Sequence, residues 1–367
     1  MKIKHLLAVF TVILSVNSAF SQDKKFKVHT VAFYNLENFY DTINDPDTRD
    51  DEWVYDKTQF KEKQNNIAKV LSEIGSGENK NSPTIIGLCE VENREVLEAL
   101  VKNPKLIDKD YGIIHFDSPD RRGIDNALIY QKKYFVVTSY VNIPLMIYEK
   151  DTKTTKKEKV EKSENGEPSD FSADTDTKTK RIYTRDQLLV TGLLEGEEIS
   201  FIVNHWPSRR GGEAISSPLR ELAANLNKKV IDSLYKINPN AKVITMGDLN
   251  DGPFNNSVKK VLGAKEKKED VKPFGFYNPM MSMSKKGIGT LAYRDAWDLF
   301  DQMILTEPLI RKDYSSWTYW KAGVFNKPFM YQTTGQYKGY ALRNSLQGKM
   351  GYSDHFPVYV YLIKEVK

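Results

Sequence analysis

The sequence predicts a mixed α/β sheet protein, on three observations. Strand-like and helical stretches interleave along the chain, with hairpins among them. Several strand-like stretches are apolar on one face and then turn to Asn, Glu, His or Asp where they end. With 367 residues, 40% hydrophobic and 11% aromatic, the chain can bury a large core.

The order begins with a segment outside the fold. Lys2 and Lys4 precede an apolar run from Leu6 to Val16, and Ala19-Phe20-Ser21 fits a small-x-small cleavage site. Residues 1–21 therefore read as a signal peptide, and the chain as exported, to the periplasm or beyond. No later stretch is apolar enough to span a membrane. Removal of 1–21 takes away two lysines and no acids, leaving 52 basic against 49 acidic residues, a charge of +3. Such a balance neither demands nor excludes a polyanionic partner. Cys89 is the only cysteine, so no intramolecular disulfide forms, and its apolar surroundings suit a buried inert thiol.

Residues 22–367 read as one domain. "KVHTVAFYNLENF" is a strand. Residues 58–74 place Phe60, Gln64, Ile67, Leu71 and Ile74 on one helical face, ended by Gly75 and Gly77. "PTIIGLCEV" is a buried strand and "NREVLEALVKN" a helix; "YGIIHFD" and "IDNALIYQKKYFVV" are strand-like. Residues 149–180 are rich in Lys, Thr, Glu and Asp with almost nothing to bury, and read as a mobile insertion. "QLLVTGLLEGEEISFIVNH" is a hairpin turning at Glu195-Gly196. A helix covers 217–235 with Pro218 in its first turn. "AKVITMGDLND" is a strand, 263–292 are loop-like, and "DAWDLFDQMILT" and "HFPVYVYLI" are the last strands.

Alternate residues of a strand share a face. The faces read Val31, Phe33, Asn35, Glu37; Ile86, Leu88, Glu90; Phe201, Val203, His205; Ile244, Met246, Asp248, Asn250; and Trp297, Leu299, Asp301. Ligands of open α/β sheets gather at carboxyl strand ends. Asp354 and His355 precede their strand, so an antiparallel strand would bring them to the same rim. Glu37, Glu90 and Asp354 are hard oxygen donors that Asn35 can assist, a set suited to Mg²⁺ or Mn²⁺ rather than zinc. Two histidines beside carboxylates suit proton transfer, with Asp301 able to orient His355. The chemistry this describes is metal-assisted hydrolysis of a phosphate ester.

"FYNLENF", "IIGLCEVEN", "VNHWPSR", "VITMGDLND", "FDQMI" and "YSDHFPV" resemble, in order, the motifs of the endonuclease/exonuclease/phosphatase superfamily, from Asn35 to His355. The resemblance implies a four-layer sandwich: two packed mixed β-sheets flanked by helices. It also implies a Mg²⁺-dependent phosphodiesterase or phosphatase. Glu90 would be the main metal carboxylate, with Glu37 and Asn35 beside it. Asp248 would align or deprotonate the attacking water, with Asn250 helping to fix it. His205 and His355 would bind phosphoryl oxygens, Asp301 would pair with His355, and Asp354 would serve as a ligand or an acid behind one. The chain departs from better-known members at Cys89 and at Glu37, where relatives often have glutamine and aspartate.

The leading expectation is an exported nuclease acting on DNA or RNA, with no stable protein partner implied. Arg185, Arg209 and Arg210 are candidate substrate contacts, solvated charges being the alternative; Asp251 is either a contact or a cap. A phosphatase or a lipid phosphodiesterase of inositol phosphate or sphingomyelin type is the competing enzyme reading. The aromatic stretch 314–332 keeps the lipid version open. A non-catalytic binding module ranks last, because every polar motif position holds a capable residue.

Overall fold

The structure is a computed structural model that describes residues 24–50, 53–149, 175–345 and 349–366. The expected signal peptide and all but the ends of the expected insertion lie outside the described residues. In chain order the elements are β1 (Phe26–Phe39), α1 (Lys57–Glu73), β2 (Ile85–Val91), α2 (Arg94–Val101), β3 (Tyr111–His115), β4 (Asp125–Gln131) and β5 (Phe135–Ile143). Then follow β6 (Ile147–Tyr148), β7 (Arg181–Ile182), β8 (Gln187–Leu194), β9 (Glu197–His205), α3 (Glu213–Ile237) and β10 (Val243–Asp248). The chain ends with β11 (Phe276–Tyr277), α4 (Met280–Ser284), β12 (Leu291–Tyr293), β13 (Ala296–Asp298), β14 (Asp301–Thr306), β15 (Thr318–Val324) and β16 (Val358–Glu365).

Two six-stranded mixed sheets form, in the orders β15-β16-β1-β2-β4-β3 and β11-β14-β10-β9-β8-β5. Each has a parallel pair at its centre, β1 with β2 and β9 with β10, and an antiparallel neighbour, β16 or β14. Strand alternation sorts the side chains. Val31 and Phe33 enter the core between the sheets with Phe201, Val203, Ile244, Met246 and Val358. Ala32 and Tyr34 point outward under α1 and α2 with Ile67, Leu71 and Leu97. On the far side, α3 covers Ile202 and Val243 with Leu219, Ala223 and Ile231. These are four layers, as the resemblance implies. The sheets meet closely at Gly87, where a Cβ would stand 2.9 Å from Met246 Cε.

Helix α1 opens on an Asp56 capping box and ends before Gly75, whose φ of 74° suits glycine. Some expectations are corrected. "IDNALIYQKKYFVV" is two strands in different sheets, because the chain crosses between them after Gln131. Helix α3 starts at Glu213, ahead of the serines, so Pro218 sits within it. Residues 263–292 contain β11, α4 and most of β12. The aromatic stretch 314–332 contains the edge strand β15, and its Trp317, Tyr319, Phe325 and Met330 are buried in the core while Trp320 is exposed. Among the described residues no helix is long and apolar enough to cross a membrane.

Candidate active site

The parallel pairs deliver their carboxyl ends to one rim. Asp248 ends β10, in register with His205 on β9 and with Asp301 on β14. Here the sequence reading needs correcting: Asp301 begins its strand rather than ending one, and reaches the rim because β14 runs antiparallel to β10. His355 stands ahead of β16 for the same reason. Glu90 needs another device. Ile86 and Leu88 face the outer helices, so simple alternation would bury Glu90 with them. Instead Glu90 has φ of 58°, and the β2–β4 register slips between Cys89 and Val91. Glu37 and Asn250 also have positive φ, 51° and 49°. These three left-handed non-glycine residues at the rim carry the kind of local strain that functional sites hold.

The amide of Asn35 joins the halves. Its Nδ2 donates to Asp248 Oδ2 at 3.1 Å and to Glu90 Oε1 at 3.3 Å. The Glu37 N–H donates to Asn35 Oδ1, which sets that orientation. His205 Nε2 lies 3.8 Å from Glu90 Oε1 and 3.7 Å from Asp248 Oδ2; His355 Nε2 lies 3.8 Å from Asp248 Oδ2. Asp301 Oδ2 accepts from His355 Nδ1 at 2.6 Å. Asn250 is tied into the turn, its N–H donating to Asp248 Oδ1 and its Nδ2 to the Trp206 carbonyl.

The two imidazoles differ electrically. Burial pushes His205 well below the usual histidine range, and Arg185, Arg122 and His355 push it further, so it is neutral. Burial alone would also lower His355, but Asp301, Asp248 and Asp354 outweigh it and hold it well above that range. Burial pushes the Asp248 carboxyl up, against the pull of His355. One neutral imidazole, one imidazolium and a carboxylate of raised basicity form a proton-handling set.

The donor chemistry fits a divalent cation. The Glu90 side chain is only 14% exposed, and among the described residues no lysine or arginine pairs with it. Its oxygens accept from Asn35 Nδ2 and the Asn38 N–H; a divalent cation would balance the remaining negative charge at this nearly buried position, with Asp248 bonded to the same Asn35 amide and His205 alongside. Glu37 and Asp354, the other expected ligands, are paired with an arginine: Arg343 Nε is 3.2 Å from Glu37 Oε1 and its Nη2 3.7 Å from Asp354 Oδ2. A separate group, His115, Asp117 and Asp125, brings ligand atoms within 4.8 Å of one another at the ends of β3 and β4.

The expected substrate arginines are engaged internally. Arg185 is buried, with Nη1 bonded to Asp120 Oδ2 and Nη2 to the Trp206 carbonyl. Arg209 donates to the Asn250 carbonyl and to Glu213, and Arg210 is buried. Asp251 is buried against Arg220 Nε at 2.7 Å, so it is neither an open contact nor a simple cap. Burial would raise the Asp120 carboxyl, but Arg122 and Arg185 hold it well below the usual range. That stability is present above the unfolded value of about 3.9 and is lost as pH falls through the depressed folded value. Arg185→Ala, which would leave Asp120 with Arg122 as its remaining cationic partner, is expected to cost about 1–3 kcal/mol in chemical denaturation. KM should hold steady; a raised KM with unchanged stability would restore Arg185 as a substrate contact.

Sequence reasoning missed Lys63, Arg343 and Asn344. Lys63 is wholly buried on the inner side of α1, and Arg343-Asn344 sits in a stretch with no periodicity to mark it.

The endonuclease/exonuclease/phosphatase family model matches residues 30–174 and 167–364, most of the chain. The chain belongs to this family of phosphoesterases. No curated protein matches it in sequence. Among solved structures it is similar in fold to an endonuclease/exonuclease/phosphatase family protein from Bacteroides thetaiotaomicron. The TM-score there is 0.51 at 16% identity, over 94% of this chain and 97% of that one. D. rerio TDP2 complexed with single strand DNA product matches at TM-score 0.50 and 13% identity, over 91% and 98%. A mannosyl-6-phosphatase of B. thetaiotaomicron matches at 0.50 and 16%, over 91% and 99%. At such identities the likeness is one of fold.

Proposed function

We propose that this family member is an exported, divalent-metal-dependent phosphodiesterase acting on nucleic acid. The observation that carries the hydrolytic reading is the convergence of Asn35, Glu90, His205, Asp248 and His355 from two sheets onto one rim. Asn35 and Glu90 would hold Mg²⁺ or Mn²⁺, which when bound polarises a phosphoryl oxygen. Asp248 orients the attacking water in line with the leaving group and accepts its proton. Neutral His205 offers an N–H to a phosphoryl oxygen without adding charge. The His355 imidazolium, held by Asp301, stabilises the charge that develops on the phosphoryl group and can pass its Nε2 proton to the leaving oxygen.

The nucleic-acid reading is supported by the rim beside His355. Leu291 of β12 bridges to His355, and the hairpin β12–β13 carries Trp297 stacked on Phe356 at 5.5 Å. Tyr293 is 49% exposed and Trp297 36%. Exposed rings next to the reacting centre suit base stacking, worth about 1–3 kcal/mol per base. The arginines of 205–212 are engaged within the protein, which favours a second reading, a sugar phosphomonoesterase, whose small substrate needs fewer cationic contacts than a polyanion.

The test is side-by-side turnover of plasmid, single-stranded DNA, RNA, a hexose phosphate and sphingomyelin with Mg²⁺ or Mn²⁺. Cleavage of a nucleic acid that EDTA stops is the expected result. Turnover of the hexose phosphate alone would move the assignment to the second reading, and full activity in EDTA would remove the metal.

A further inference from the structure

Glu37 and Glu90 stand near one another in the chain's logic but not in their partners. Both carboxylate oxygens of Glu37 are already used: Oε1 by Arg343 Nε at 3.2 Å and Oε2 by the Asn344 N–H at 2.8 Å. Its side chain is 4% exposed. The donors that hold it are themselves built in. Asn344 Nδ2 donates to the Glu37 carbonyl at 2.8 Å and to Tyr55 Oη at 3.1 Å. Asn344 Oδ1 accepts from Lys63 Nζ at 3.1 Å, and that wholly buried ammonium also reaches the Tyr352 carbonyl. On either side, Leu342 N–H donates to the Met330 carbonyl and Tyr352 N–H to the Leu342 carbonyl. The backbone that carries Arg343 is therefore fixed from α1, β1 and the 350–353 turn together.

The Arg343 side chain itself is 49% exposed. Its Nε is spent on Glu37 and one face of its fork approaches Asp354, whose Oδ1 is 3.9 Å from His355 Nε2. A guanidinium has five donors, so the remaining N–H groups are free to engage a phosphate, bidentately and with permanent charge.

We propose that Arg343 is the resident cation of the Glu37–Asp354 pair: it contacts the substrate phosphate, Glu37 and Asp354 position it, and a single divalent ion is held by Asn35 and Glu90. This rests on the phosphoesterase reading above. In two-metal sites a second ion clamps the attacking and leaving oxygens; here the carboxylates that would hold one are already paired with an arginine, whereas among the described residues the Glu90 oxygens accept only from the neutral amides of Asn35 and Asn38.

The experiment is calorimetric titration with Mn²⁺ in an Asp117→Asn background, which silences the exposed arm of the His115–Asp117–Asp125 group, with circular dichroism to confirm folding. One ion per chain is expected. Glu90→Gln should weaken it about 10–100-fold, as loss of a ligand does, and Glu37→Gln by no more than about threefold. Arg343→Ala should leave Mn²⁺ affinity in place yet raise the inhibition constant of inorganic phosphate about tenfold or more, with Arg343→Lys recovering only part. Two ions in the Asp117→Asn protein, or equal weakening by Glu37→Gln and Glu90→Gln, would overturn the inference while leaving the phosphoesterase reading standing. No weakening by Glu90→Gln would overturn both.

Discussion

Asp248→Asn is expected to abolish nearly all turnover, by on the order of 10³-fold in kcat, without unfolding the protein. The substitution keeps the shape of the side chain, and the Asn250 N–H retains an oxygen to bond. What changes is the other end. Oδ2 accepts from Asn35 Nδ2 and lies 3.7–3.8 Å from both imidazole Nε2 atoms. An amide there cannot take a proton from water, and its NH₂ would face the NH₂ of Asn35. Stability should behave differently. Burial raises the Asp248 carboxyl above its ordinary value, so its ionised form works against the fold at neutral pH and favours it less as pH rises. Removing that charge relieves its burial while the opposed NH₂ groups and the lost counter-charge of His355 cost in the other direction, so Tm should change little. A variant with a tenth or more of parental kcat would show that another group receives the proton.

Asp301→Asn carries the second large effect, a fall in kcat of about 10²–10⁴-fold. Asp301 Oδ2 is 2.6 Å from His355 Nδ1 and is the largest of the carboxylate influences that hold the imidazolium against burial. Taking it away lets burial win. The folded pKa of His355 then drops, so the protonated form is lost at lower pH. The alkaline limb of the kcat/KM profile should accordingly slide toward neutrality in the variant. Lower activity with an unmoved limb would mean that the imidazolium is not the form the reaction uses.

Much of this centre could be read before any coordinates. Period-two alternation works for β1, β9 and β10, where Asn35, His205 and Asp248 continue the faces of Phe33, Val203 and Met246. It fails at Glu90, where alternation points the side chain the wrong way and a left-handed residue corrects it; nothing local marks a glutamate for that conformation. It misreads Asp301 because direction within a sheet is a property of pairing, which a single strand does not encode. The helices α1 and α2 were legible from their apolar spacing and caps. Arg343, Asn344 and Lys63 were not, since their roles depend on contacts across some 280 to 307 positions of chain. Arg185 shows the opposite difficulty: from sequence it is open whether its charge meets substrate or solvent, and only burial against Asp120 and the Trp206 carbonyl reveals a strut.

Asn35, Glu90 and His355 travel with one sheet, whereas His205, Asp248 and Asp301 travel with the other. Neither lamina owns a complete machine, and their alignment is set where Gly87 leaves Met246 no slack. The enzyme thus behaves like a caliper whose jaws are the two sheets: a slight parting, too small to expose the interior, would already silence it. Inactivation on heating should run ahead of melting.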